Sequence, residues 1–273
     1  MQNHSRLTAS AVCTSVSGNY KTPYFMNQRI IKDIRYYERK TIDFDGQFDG
    51  SFGNVYCATN DTKYIGQRIA RKLHEYGFTA GEYDHIYIQF SSDLGDDEIR
   101  ESEVFNDKRI RTFIYGLNPS NFNRLSIDDR DRKIKEITFK VLRWVFSSDD
   151  SKIQMINDVA TLIDKFDRSL TIRYKTKEAR LYRINLSFQI RPIDEKSKLI
   201  VEYTNKQDEN MLYDVMDLLD YEDLYLLIDS ITLKNGVIHF QPKKNNLVEI
   251  ISRQYKSKLK SIEINKMKKN NCH

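Results

Sequence analysis

Ten glycines, four prolines and three cysteines in 273 residues leave little material for a loop-built or disulfide-built protein. Cys13, Cys57 and Cys272 are odd in number and show no CxxC or zinc spacing, so reduced thiols in an intracellular protein are expected. No stretch approaches the roughly 20 apolar residues that cross a bilayer, so no membrane span is expected. The opening MQNHSRLTASAVCTSVSG lacks the apolar core of a signal peptide. Val12 and the missing hydrophobic run also argue against a lipoprotein site at Cys13. A cytoplasmic location is the expectation.

Catalytic signatures are equally scarce. There is no Walker A loop, dinucleotide fingerprint, G-x-S-x-G elbow or HExxH pair. His4, His74, His85, His239 and His273 are scattered without metal-ligand spacing. No catalytic residue, metal or cofactor is therefore assigned. A site assembled from distant residues stays open as the third reading, because local motifs do not report such sites.

What is abundant is aromatic: 17 Tyr and 14 Phe favour strands with packed rings. Charge is unevenly spread. Arg253, Lys256, Lys258, Lys260, Lys266, Lys268 and Lys269 face only Glu263 in the last 21 residues, so the net charge of +5 belongs to the tail. The preceding chain is close to neutral, which weakens the case for a nucleic-acid-binding core.

Periodicity gives an α+β pattern with mostly antiparallel sheets, a central helical hairpin and a C-terminal amphipathic helix. A mobile arm is expected over 1–22 and an α/β lobe over 23–118. Within that lobe, Arg29–Tyr37, Asp84–Phe90 and Arg109–Tyr115 read as strands. Ile65, Ile69, Leu73 and Tyr76 mark a helix over Asp61–Tyr76. Residues 119–168 hold the helical pair, over about 127–146 and then after Ser148; Ser126 and Asp129 have capping-box spacing.

A β-rich lobe follows over 169–246. Tyr182, Ile184, Leu186, Phe188 and Ile190 alternate with Arg183, Asn185, Ser187, Gln189 and Arg191, predicting a strand with one buried and one wet face. Asp208–Leu219 reads as a short helix, and Leu224–Leu233 with Val237–Phe240 as a hairpin turning at Asn235-Gly236. Leu247, Ile251, Tyr255 and Leu259 predict a basic amphipathic helix in the tail, 247–273, fraying into a Lys-rich end.

Two short strings approach the spacing of known chemical motifs. Phe48–Val55 overlaps the spacing of a kinase phosphate loop, but Lys72 falls on a helix and no His-Arg-Asp loop exists, so a glycine-rich turn is the better reading. Asp43, Asp45 and Asp49 lack the closing Glu of a calcium loop and read as turn formers.

Function is therefore expected at surfaces. The leading expectation is a non-enzymatic protein binder of the immunity, antitoxin or defence-associated kind. Its partner-binding candidates are Arg183, Asn185, Gln189 and Arg191 on the polar strand, with Asp93, Asp96 and Asp97 of the acidic segment. The alternative is a nucleic-acid-associated protein using the basic tail residues named above.

Overall fold

The computed structural model describes residues 28–39, 52–103, 107–192, 194–255 and 259–269. The expected arm at 1–22, Asp43, Asp45, Asp49, Lys256 and Lys258 lie outside the described residues.

The first sheet holds β1 (Asp33–Glu38), β2 (His85–Ser91), β3 (Ile99–Glu101) and β4 (Ile110–Gly116) in the order β1-β2-β4-β3. β1, β2 and β4 run parallel, and β3 returns antiparallel along β4. Helix α1 (Thr62–Glu75) bridges β1 and β2. Alternation predicts these strands but not their parallel pairing, which depends on the crossover.

The short helix α2 (Pro119–Asn123) follows β4, then α3 (Ile127–Val145) and α4 (Asp150–Phe166), joined through residues 146–149. Arg143 Nε meets Asn157 Oδ1 across the pair at 2.9 Å. Ser126 caps α3 by accepting from the Asp129 amide at 3.2 Å, as the spacing predicts. Ile134, Ile137 and Val141 are buried, whereas Trp144 is half exposed.

Helix α1 lies close against β1. A Cβ on Gly66 would stand 2.4 Å from the Ile34 carbonyl oxygen, so only glycine permits this approach. Tyr36 meets Thr138 of α3 at 2.7 Å on the same face, packing Ile34, Ile86, Ile88 and Phe90 beneath the helices.

The second sheet is a five-stranded antiparallel meander in the order β12-β8-β7-β6-β5. Its members are β5 (Ile172–Glu178), β6 (Tyr182–Gln189), β7 (Ser197–Asn205), β8 (Met211–Leu218) and β12 (Lys268–Lys269). Ile184, Leu186, Phe188, Leu199 and Val201 form its buried face. β8 corrects the helix expected at Asp208–Leu219. Leu and Met there suit a helix, but β7 offers a ladder from Ser197↔Leu218 to Thr204↔Met211, and that pairing prevails over local propensity.

A three-stranded sheet completes the fold: β9 (Ser230–Lys234), β10 (Val237–Gln241) and β11 (Ser261–Glu263). Asn235 and Gly236 both have positive φ, the two-residue hairpin turn predicted there. The strand expected from Leu224 is corrected, because Leu224–Leu227 forms the short helix α5. A capping box between Asp220 and Asp223 starts the 3-10 turn Tyr221–Asp223 that leads into it.

Helix α6 (Asn246–Gln254) stops well before Leu259. The expected continuous helix and frayed end are therefore corrected: β11 pairs with β10, and β12 pairs with β8. Leu259, Ile262 and Met267 are buried. No helix among the described residues is long and apolar enough to cross a membrane.

Candidate functional surfaces

The polar face of β6 carries two of the predicted residues to a common place. Arg183 and Asn185 line a hollow of about 460 Å³ together with Arg173, Thr176, Glu178 and Glu202. Strand alternation puts them there, opposite the buried Ile184–Leu186–Phe188 row. Arg183 and Lys206 meet Glu178 at 3.0 and 2.6 Å. Hydrogen bonds from Lys206 and then Arg183 hold the Glu178 carboxyl down to about 2. No ion pair within 4 Å is formed by Arg173 or Glu202 among the described residues.

Gln189 and Arg191, expected on the same surface, are half-buried and do not line this hollow. Gln189 Nε2 donates to the Ser169 carbonyl at 2.9 Å, and Arg191 donates to Gln189 Oε1 at 2.8 Å. They sit where β6 leaves the sheet toward the helices, so the polar parity of the strand is spent on the junction there.

The acidic segment lies against a different hollow, of about 320 Å³, shared by Asp96 and Asp97 with Asn118, Phe122 and Lys133. Asp97 has positive φ and is bound by the Tyr115 hydroxyl and by Lys140 at 3.1 Å. These hydrogen bonds lower its pKa below the usual carboxylate range. Asp96 accepts from the Asn118 amide at 2.8 Å. Asp93 stays exposed. The acidic loop and the polar strand thus line separate hollows.

Among the tail residues, Arg253, Lys260, Lys266, Lys268 and Lys269 are exposed, with Lys266 paired to Glu263 at 2.6 Å. They are divided between α6 (Arg253), the residue before β11 (Lys260), the 3-10 turn Ile264–Lys266 (Lys266) and β12 (Lys268, Lys269).

Sequence reasoning missed the buried charges. Arg68 of α1 is fully buried and forks onto Asp61, with Nη1–Oδ1 at 2.8 Å, and its Nη1 also donates to the Ile190 carbonyl at 3.2 Å. Arg168 reaches Asp61 and Asp131, both at 3.5 Å, and Glu195 at 2.5 Å. Burial raises the Asp131 pKa above its usual value, against the opposing hydrogen bond from Thr59. This network ties α1, α3 and the β6–β7 connection together. Its members look like surface residues in the sequence, since a charged residue on an amphipathic helix carries no sign of its depth.

The glycine-rich string also has an internal explanation. Glu38, at the end of β1, is buried, and its Oε1 accepts from the amides of Gly53, Asn54, Val55 and Tyr56 at 2.7 to 3.0 Å. Gly53 has φ +140°, which glycine adopts without strain. The chain forms an anion cradle at this loop and fills it with its own carboxylate.

Asp84 is another buried carboxylate, held by Lys32 at 2.8 Å, Arg109 at 3.0 Å and His85 Nδ1 at 2.6 Å. Burial opposes its ionisation, but hydrogen bonds from Arg109, Lys32 and His85 prevail and lower its pKa well below the usual range. A carboxyl with a depressed folded pKa adds stability above its unfolded pKa near 3.9 and loses it as pH falls. Asp84→Asn is expected to cost about 3–5 kcal/mol at neutral pH. Urea unfolding from pH 7 downward should show that loss shrinking below about pH 5. A constant difference between the two proteins across that range would contradict the assignment.

No known protein family, curated protein or solved structure matches the chain.

Proposed function

We propose that the chain works by binding another protein, as an immunity-, antitoxin- or defence-type binder does, through the outer face of the five-stranded meander. The observation that carries this reading is the hollow around Arg173, Arg183, Asn185 and Glu202, where mixed charges stand on a sheet whose other face is core. A rigid surface of alternating sign suits a partner of complementary charge, because such patches speed encounter and fix orientation. The buried carboxylates support a binding rather than a catalytic role. Asp61, Asp84, Asp131 and Glu38 are each held by internal cations, hydroxyls or amides.

The test is recovery of a stoichiometric partner by the tagged chain from its native cells, repeated with Arg183→Glu and Arg173→Glu. Charge reversal at the hollow is expected to weaken the complex by about tenfold or more while leaving folding unchanged. A complex equally tight in both variants would remove this surface from the account.

The exposed basic residues of the C-terminal segment favour nucleic-acid binding as a second reading. Deleting 253–273 would remove buried Leu259, Ile262 and Met267, so the informative variant is Lys260→Glu with Lys268→Glu and Lys269→Glu. Nucleic-acid affinity that falls steeply with salt and disappears in this variant would support that reading over the first.

A further inference from the structure

We propose that a small apolar carboxylate of the fatty-acid type binds in a hollow between α5, α6 and the three-stranded sheet. This goes beyond the protein-binding reading and does not depend on it. The hollow measures about 430 Å³, within the range of small-molecule sites. Its floor is apolar, made by Leu227 of α5, Phe240 of β10 and Leu259, all of them buried. Tyr255, at the end of α6, adds its ring, because its hydroxyl is committed to Asp223 and to the Leu219 amide at 2.8 Å.

These walls are held in place by the backbone. The Phe240 amide donates to the Lys260 carbonyl at 2.9 Å, which fixes Leu259 and Lys260 beside β10. The Asp229 amide donates to the Gln241 carbonyl at 2.7 Å, and the Lys243 amide to the Leu226 carbonyl at 2.9 Å. Those two bonds fix α5 against the end of β10. A hollow braced in this way needs little ordering when a ligand enters.

The polar groups around the hollow select the head group. Lys260 lines it with an exposed side chain that forms no ion pair among the described residues. The His239 ring and the Ser252 hydroxyl line it too, and neither has a hydrogen-bond partner among the described residues. No carboxylate stands among the described lining residues. The hollow beside β6 differs in having Glu178 and Glu202, and the one beside Asn118 in having Asp96 and Asp97. Glu263, three residues after Lys260, is taken by Lys266 at 2.6 Å. An unpaired cation and two hydrogen-bonding groups beside an apolar floor match one carboxylate carried on an apolar body. Inorganic phosphate would leave the floor uncovered, and a neutral apolar molecule would leave Lys260 without a counter-ion.

Calorimetric titration of the full chain with octanoate, hexanoate and 1-octanol tests this directly. Octanoate is expected to bind one-to-one, more tightly than 1-octanol, and more weakly as salt increases. Hexanoate, with two methylenes fewer to bury, should bind about tenfold more weakly. Lys260→Glu should weaken octanoate by about tenfold or more while leaving 1-octanol unchanged. Lys268→Glu makes the same charge change on β12, outside the lining, and should leave octanoate binding as it is. Ser252→Phe fills the hollow from α6 and should abolish binding of both octanoate and 1-octanol. The two lysine variants should melt at the wild-type temperature, and their contrast decides the matter even where Ser252→Phe fails to fold. Absence of saturable octanoate binding to the wild-type chain up to about 10 mM would overturn the proposal. So would 1-octanol binding as tightly as octanoate, or octanoate binding that Lys260→Glu leaves unchanged or that Lys268→Glu weakens equally.

Discussion

Replacing Arg68 with Met lowers the unfolding free energy by about 3 kcal/mol, at the lower end of the range for breaking a buried ion pair. The lower end applies because Asp61, only 2% exposed, keeps Arg168 at 3.5 Å as a second cation. The loss is still large, since the Ile190 carbonyl forfeits its 3.2 Å donor and Asp167 its 3.4 Å partner at the same time. Removing both charges, in Asp61→Leu with Arg68→Met, should recover much of that loss, because apolar residues of similar volume fill the space without a stranded charge. Urea unfolding of the single and double variants measures this. A double variant less stable than Arg68→Met alone would mean that the pair itself, rather than the desolvated partner left behind, carries the stability.

Glu38→Ala is expected to cost about 2–4 kcal/mol. Four amides lose a common acceptor, and each buried donor left unpaired costs about 1–3 kcal/mol. The sum is smaller than four full penalties because Gly53, Asn54 and Val55 are exposed and can turn to water, while Tyr56 is buried and cannot. The damage should extend to the rings that the loop holds in place, where Phe52 lies 5.7 Å from Tyr56 and 5.0 Å from Phe90. Glu38→Gln keeps one carbonyl acceptor and should lose about half as much. Hydrogen exchange at the amides of 53–56 gives the local readout: fast exchange in Glu38→Ala, intermediate in Glu38→Gln. Unchanged protection would show that the cradle forms without its carboxylate.

Much of the architecture was legible because core strands and helices carry their period in the sequence. Ile65, Ile69 and Leu73 are buried where the helical spacing puts them, and β6 alternates as read. The failures have specific causes. The Leu and Met content of β8 favours a helix, and only the β7 ladder decides otherwise. The 3-10 turn Tyr221–Asp223 ahead of α5 carries a signal of its own, since Asp220 and Asp223 have the same spacing as Ser126 and Asp129, where Ser126 caps α3. The C-terminal segment combines buried Ile262 and Met267 with many lysines, and composition registered the lysines alone.

The surfaces were legible in part. Arg183 and Asn185 share the hollow that strand parity implies, while Gln189 and Arg191 turn to the junction because β6 ends there. Asp93, Asp96 and Asp97 were grouped by sequence proximity, but Tyr115 and Lys140, distant in the chain, bind Asp97. Arg68 and Glu38 gave no signal, since the depth of a polar side chain depends on contacts made far along the chain.

The most direct test of the binding reading is size-exclusion chromatography of the tagged chain isolated from its native cells, beside Arg183→Glu and Lys268→Glu. The account predicts a stoichiometric protein complex with the wild-type chain, retained by Lys268→Glu and lost or weakened by Arg183→Glu. A wild-type chain that elutes without a protein partner, or a complex that Lys268→Glu abolishes and Arg183→Glu leaves intact, would contradict it.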